Sequence, residues 1–365
     1  MKVRILRNLG ITFGVAALLL RWVFTLLPDF FEAVWFNGVF PTVRKIQYAV
    51  FSVVPLPGWY IAAFLLAAWL FWRLPFSYGL SLREKKRRGW GLFARRTANL
   101  LGGLAATFLL LWGFGYTDRG LASRIGIEKS TREEDFAAAY EEVMARALAC
   151  RKEITALREG MTIEDLPPEA FNADVALLTA GILTDFGYHT ETPVHLRALR
   201  PDGILKRLSI SGIYNPWTGE ANIDNALSSL PRIFTAAHEV AHAYGVTGEA
   251  EANFSAWLAC RSATDPVVRY AGEYGLWRTI GSEINRSFPE EVREVLAARI
   301  PEELRADRQA IWEKAARHKA YFPEVSDRLN DAYLKSQGVT AGTDDYNDFA
   351  ALYFSWQRRE SHLKK

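Results

Sequence analysis

Two histidines four residues apart, with a glutamate directly after the first, are the residues in this chain best suited to chemistry. They form His238-Glu239-Val240-Ala241-His242. On a helix this spacing puts both imidazoles on one face, one turn apart, where both can reach a single zinc ion. Glu239 is turned about a quarter turn away, placing it to take a proton from an attacking water rather than to bind the metal. Pro231 suits a first helical turn, and Ser228 or Ser229 is a candidate cap. Gly245 and Gly248 break the helix and permit a reversal.

A catalytic zinc takes three protein ligands and leaves one position open. Glu249 opens the returning helical pattern and is the expected third ligand. Asn253 lies four residues further on, on the same face, where it can hydrogen-bond the second nitrogen of a ligand histidine. Glu251 is the alternative carboxylate, on another side of that helix. A His-Glu-x-x-His string arises by chance on the order of once in a hundred chains of this size, so the flanks must carry the reading. Here the histidines sit in an apolar segment, a Gly-rich turn follows, and a Glu-x-Glu-Ala-Asn-Phe helix comes next.

That extended pattern resembles the gluzincin group of zinc metallopeptidases. More closely, it is similar to a family of bacterial multi-pass membrane proteins that form a domain of unknown function with a zinc peptidase motif. The likeness extends to Gly212-Ile-Tyr-Asn-Pro-Trp-Thr-Gly-Glu-Ala-Asn222 and to the hydrophobic N-terminal third. The resemblance implies Glu249 as third ligand. The residue four later is usually Asp in gluzincins and is Asn253 here, which keeps an acceptor but lacks the charge. The family implies no substrate.

The elements that must position these residues fall into two parts. Residues 1–117 hold 14 Lys/Arg and 3 Asp/Glu, a net of +11. Subtraction from the totals of 44 and 41 leaves 30 and 38, or −8, for residues 118–365. The overall +3 therefore marks a basic membrane part joined to an acidic soluble part, and gives no reason to expect a nucleic-acid partner. Leu9–Leu27, Pro57–Leu74 and Leu100–Tyr116 are apolar runs about long enough to cross a bilayer. Basic clusters flank them: Lys2, Arg4 and Arg7, then eight Lys/Arg between Arg73 and Arg96. By the positive-inside rule both clusters are cytoplasmic, so three crossings leave residues 118–365 outside the cytoplasm. Phe36–Val54 reads as an interfacial or re-entrant helix on the outer side.

In the soluble part, Ser130-Thr-Arg-Glu133 is a capping box opening a helix to about Arg158. A second helix spans about Pro168–Phe186. Leu208–Tyr214 alternates and can pair with Gly219–Asp224 across an Asn-Pro-Trp-Thr turn. Beyond the motif, helices are expected at about Pro266–Asn285, Pro289–Ala298, Pro301–Ala320, Glu324–Ser336 and Asp345–Arg359. Tyr214 and Tyr270 are candidate donors to a developing oxyanion, with packing as the plainer role for each. Cys150 and Cys260 are the only cysteines, free to pair outside the cytoplasm or to stay as separate thiols.

The expected architecture is thus mostly α with a small antiparallel β element, gluzincin-like, behind N-terminal transmembrane helices. The expected activity is a zinc-dependent metallopeptidase in the bacterial cytoplasmic membrane. It would act on a peptide or protein substrate, with Zn2+ on His238, His242 and Glu249, Glu239 as base, and Asn253 supporting a ligand. The alternative is a zinc-stabilised binding or sensor domain without turnover.

Overall fold

The computed structural model describes residues 8–83, 86–128, 133–157, 162–337 and 348–363, with backbone only at 72–90, 133–135 and 362–363. The chain forms two compact units. One comprises Met1–Asp118 together with Asn215–Glu220, and the other Arg119–Tyr214 with Ala221–Lys365.

In the first unit, helix α1 (Leu9–Leu26) is apolar but for the charge of Arg21, and leaves Phe13, Leu19 and Trp22 exposed. It crosses α4 (Lys86–Leu111) at very close range. A Cβ on Gly10 would lie 1.8 Å from the Asn99 carbonyl oxygen, and one on Gly14 would lie 2.9 Å from Gly102. Small residues are what allow two backbones to approach this closely. Between α1 and α4 come a π-helical stretch, Glu32–Val39, then α2 (Phe40–Phe51) and α3 (Gly58–Arg83). Trp35 is fully buried among Phe31, Phe40 and Phe114, and its indole N–H donates to the Leu110 carbonyl at 2.9 Å.

Among the described residues, one helix, Leu9–Leu26, is both long and apolar enough to cross a membrane; Gly58–Phe71 is a shorter apolar stretch. The expected run Leu100–Tyr116 does not form one helix. It ends α4 at Leu111 and continues as a 3-10 turn, Gly113–Thr117. The side chains of the basic cluster from Arg73 to Arg88 lie outside the described residues.

The second unit is built of helices around a small sheet. Helix α5 (Glu133–Leu157) buries Tyr140, Val143, Met144 and Ala147, the stripe read from its spacing; Ser130, Thr131 and Arg132 of the capping box lie outside the described residues. A 3-10 turn, Pro168–Phe171, leads into α6 (Asn172–Asp185). Then come β1 (Leu196–Leu199), β2 (Gly212–Asn215) and β3 (Glu220–Asp224), followed by α7 (Ser229–Ala243) and α8 (Glu249–Arg261). Helices α9 (Pro266–Ser287), α10 (Glu290–Ala298), α11 (Glu302–Ala316), α12 (Pro323–Ser336) and α13 (Asp348–Leu363) complete it. The core lies where α7, α8 and α9 meet, around Ala237, Val240, Phe254, Trp257, Tyr270 and Leu276, and α13 adds Phe349 and Tyr353.

The sheet departs from the antiparallel element expected. Its order is β1-β3-β2, and β1 runs parallel to β3 with Leu196 opposite Ala221 and Leu199 opposite Asp224, so the sheet is mixed. The partner strand β1 was not legible, because Leu196-Arg-Ala-Leu199 is short and only Leu199 is fully buried. The alternating run also starts later than its pattern suggests. Lys206–Leu208 is a 3-10 turn and Ser209 has φ of 62°, which breaks the extended backbone ahead of Gly212.

Candidate metal centre

Helix α7 forms because its apolar residues recur at helical spacing: Leu230, Ile233, Ala237, Val240 and Ala241 all face the core. Ser228 occupies the N-cap position but makes no capping bond through its side chain, and the Ser229 hydroxyl donates instead to the Leu166 carbonyl. The C-terminus is set by Gly245, at φ of 100°. The Gly245 N–H donates to the His242 carbonyl and the Val246 N–H to the Ala241 carbonyl, the paired bonds of a left-handed glycine stop. This turn brings the Val246 carbonyl to His242 Nδ1, at 2.6 Å. Glu249 then opens α8, where a carboxylate in the first turn is favoured by the helix dipole.

The two turns bring three donor atoms together. His238 Nε2 and His242 Nε2 are 3.0 Å apart, and Glu249 Oε2 is 3.2 Å from the first and 3.5 Å from the second. Ligands on a tetrahedral zinc at about 2.0–2.1 Å stand about 3.3 Å from one another, so the observed spacing fits one small cation. Asn253 Oδ1 lies 2.9 Å from His238 Nδ1. With both Nδ1 atoms facing an oxygen acceptor, each ring carries its proton there and turns a bare Nε2 lone pair into the cluster. Two such lone pairs and a carboxylate at this range repel unless a cation or a proton lies between them.

The electrostatics carry the same sign. Burial opposes a charge on His242, but the Glu249 carboxylate overrides it and holds the imidazolium up to about 9. Burial would also raise Glu249, and the charges and hydrogen bonds of His242 and His238 outweigh it, keeping this carboxyl well below its usual range. The side chains of His238 and Glu249 keep 12% and 14% of their surface exposed against 7% for His242.

Glu239 lies beside the cluster and is not a member of it. Burial pushes its carboxyl up, and its Oε2 has no hydrogen-bond partner among the described residues. The backbone N–H of Tyr214 donates to this carboxylate. Along β2, the carbonyls of Ser211 and Asn215 accept from Asp224 and Gly219. Alternation turns the groups of Gly212 and Tyr214 to the sheet's open edge, where Glu239 stands. The approach is close: a Cβ on Gly212 would come within 2.6 Å of Glu239 Oε1.

Of the residues singled out from the sequence, His238, Glu239, His242, Glu249 and Asn253 converge. Glu251 does not. Its carboxylate accepts from the Ala122 N–H at 3.0 Å, at the short helix Gly120–Arg124. Tyr270 is also elsewhere, buried on α9 with its hydroxyl donating to Asp307. Tyr214 reaches the site through its backbone. The thiols of Cys150 and Cys260 are free, and burial pushes Cys260 up to about 12. The Val246 carbonyl and the Tyr214 N–H escaped the sequence reading because any residue type supplies them. Gly212 did leave a trace, as a glycine inside an alternating run.

A mostly helical unit with a three-stranded mixed sheet, carrying a His-His-Glu cluster with a buried carboxylate beside it, defines a protein with a candidate divalent-metal centre. The chain belongs to the family described as protein of unknown function (DUF3810), whose model matches residues 35–354. No curated protein and no solved structure matches the chain.

Proposed function

We propose that this protein is a membrane-anchored zinc-dependent metallopeptidase. The observation that carries the reading is the unpartnered, buried Oε2 of Glu239 beside three converging donor atoms. A site that only stabilised the fold would gain nothing from such a carboxylate, which is costly to bury without a partner. His238, His242 and Glu249 would hold the ion, with imidazole donors favouring zinc over magnesium or calcium. When bound, zinc supplies a Lewis acid that polarises a carbonyl and acidifies water. Glu239, raised by burial, takes the proton from the attacking water and delivers it to the departing amide nitrogen. Asn253 and the Val246 carbonyl hold the two imidazoles in one tautomer. β2 is the outer strand of the sheet and lies beside Glu239, the kind of place where an extended peptide aligns along a strand. The reading follows what the resemblance of the motif to gluzincins implies.

The exposed apolar surface of α1, and Phe64 and Leu65 on α3, support the bilayer as the other partner. Spans at Leu9–Leu27 and Pro57–Leu74, a third crossing through the apolar end of α4, and an extracytoplasmic place for residues 118–365 are part of this proposal. The test uses the full chain: metal analysis together with digestion of a peptide library by wild type and by Glu239→Gln. Stoichiometric zinc with cleavage lost only in the variant is the expected result. Zinc without cleavage in the wild type would favour the non-catalytic binding domain.

A further inference from the structure

Glu239 has counterparts at the other end of α7, within the same compact unit: buried polar groups whose hydrogen bonds are unspent. Ser228 and Arg232 are 3% and 8% exposed, and neither Ser228 Oγ nor Arg232 Nε has a partner among the described residues. Ser228 is the N-cap residue, yet its side chain caps nothing. A cap bonds the N–H of the second or third helical residue, and the third here is Pro231, which has none. The N–H groups of Ser229 and Leu230 find no acceptor within the helix either. The positive end of the helix dipole is thus buried and short of acceptors.

Arg232 is turned back over this end. Side chains on a helix lean towards its N-terminus, and Arg232 Nη1 reaches Asn225 Oδ1, ahead of the helix, at 3.3 Å. Glu169 Oε2 lies 3.7 Å from the same nitrogen, on a side chain 61% exposed. Nε stays without a partner, and it is half of the Nε–Nη2 edge that grips a carboxylate side-on. Burial holds Arg232 below its ordinary range, and the like charge of Arg200 adds to this, in spite of Glu169, Asp202 and Asp224. Two of those carboxylates are engaged elsewhere. Asp202 accepts from Asn225 Nδ2 at 2.7 Å, and Asp224 accepts from backbone N–H groups of its own loop. A guanidinium so buried and so incompletely bonded is costly to keep unless an anion completes it.

We propose that the N-terminus of α7, with Arg232 and Ser228, is a subsite for a carboxylate of the peptide substrate. What is cut rests on the peptidase reading above; the carboxylate site does not. Arg232 and Glu239 are seven residues apart and share one face of α7, about 10.5 Å along its axis. β2 runs beside that face: a Cβ on Gly212 would come within 2.7 Å of Thr235 Cγ2 as well as 2.6 Å of Glu239 Oε1. At the Arg232 end, the Ser211 carbonyl accepts from the Asp224 N–H, and Asp224 leads into Asn225. A peptide along β2, with its scissile carbonyl at Glu239, covers that distance in about three residues at roughly 3.3 Å each. Its carboxylate, from the chain end or from an acidic side chain, then meets Arg232, the Ser228 hydroxyl and the N–H groups of Ser229 and Leu230. The substrate class is a peptide carrying a carboxylate about three residues from the cleaved bond.

The test uses full-length, zinc-loaded protein in lipid nanodiscs and a dye-labelled alanine hexapeptide in three forms: with a free C-terminus, with a C-terminal amide, and as the amide with one internal glutamate. Binding is read by fluorescence anisotropy. Hydrolysis is read on the same three forms of whichever sequence a peptide library shows to be cut. The wild type is expected to favour a carboxylate form over the plain amide by at least about tenfold, and the form favoured tells a terminal carboxylate from a side-chain one. Arg232→Gln should bring that ratio to about one, and Arg232→Lys should restore part of it. Ser228→Ala, which removes no capping bond, should lower the ratio by at least about twofold. Zinc content is measured in each variant, and where Arg232→Gln loses zinc through misfolding, Ser228→Ala decides. A wild type without carboxylate preference overturns the proposal, as does a preference that survives the substitutions. Carboxylate-selective binding without hydrolysis ends the peptidase reading and leaves the subsite standing.

Discussion

Two buried carboxylates close in sequence, Asp224 and Glu239, are treated in opposite ways. Asp224 ends β3 and accepts four backbone N–H groups, from Gly203, Leu205, Lys206 and Ala226, at 2.7–2.9 Å. Both of its oxygens are satisfied, and it folds the loop after β1 around itself. Glu239 is also buried, yet one of its oxygens meets no donor among the described residues. A carboxylate saturated by backbone donors is a structural pin, whereas a buried oxygen left without a donor calls for an explanation of its own. Asp307 belongs with Asp224, since its Oδ2 accepts from both Arg151 Nε and the Tyr270 hydroxyl.

The comparison can be broken most decisively at Glu239. Glu239→Gln keeps shape and size but loses the base. It should lower peptide hydrolysis by roughly 10²–10⁴ while zinc content, read by atomic absorption, stays at the wild-type level. Loss of zinc in that variant would move Glu239 into the ligand set. Asp224→Ala should do the reverse, leaving four donors without their acceptor and lowering stability by roughly 3–5 kcal/mol, as read from a denaturant midpoint. A negligible shift would mean that the loop holds itself.

Asn253→Ala should weaken zinc binding about 10–100-fold without unfolding the chain, as measured by chelator competition. Asn253→Asp, by adding charge beside His238, should tighten it. The smallest effect is the pH dependence. His242 is raised from the usual imidazole range to about 9 in the metal-free site, so below that value zinc must displace a proton. Apparent affinity should fall by up to about tenfold per pH unit as pH drops below about 9, with proton release on zinc addition seen by an indicator dye. The same proton stabilises the metal-free fold at low pH and is lost as pH rises through about 9. Affinity flat between pH 7 and 9 would show that no proton occupies the cluster.

Much of the site was legible because its information is local. The i, i+4 pairing of His238 and His242 follows from helical pitch, and the glycine stop and the Glu249–Asn253 spacing follow from turn and helix chemistry read over some twenty residues. The helices of the second unit follow their apolar periodicity closely, as in α5 and α9. Where the expectation failed, the deciding partner was distant. Glu251 offered the same chemistry as Glu249, and only the placement of Ala122 shows why it faces away.

By itself, then, the sequence determined the helical framework, the pair of imidazoles with their carboxylates, and the apolar, basic character of the first third. Tertiary structure decided which glutamate meets the histidines, that β1 lies parallel to β3, that the edge of β2 carries Tyr214 to Glu239, and that the turn at Asn215–Glu220 is held by Arg44 and Gln47. The physical reason is range. Helical pitch and turn preference act over a few residues, whereas a hydrogen bond spanning 175 positions, such as Arg44 to Gly219, exists only once the segments have packed.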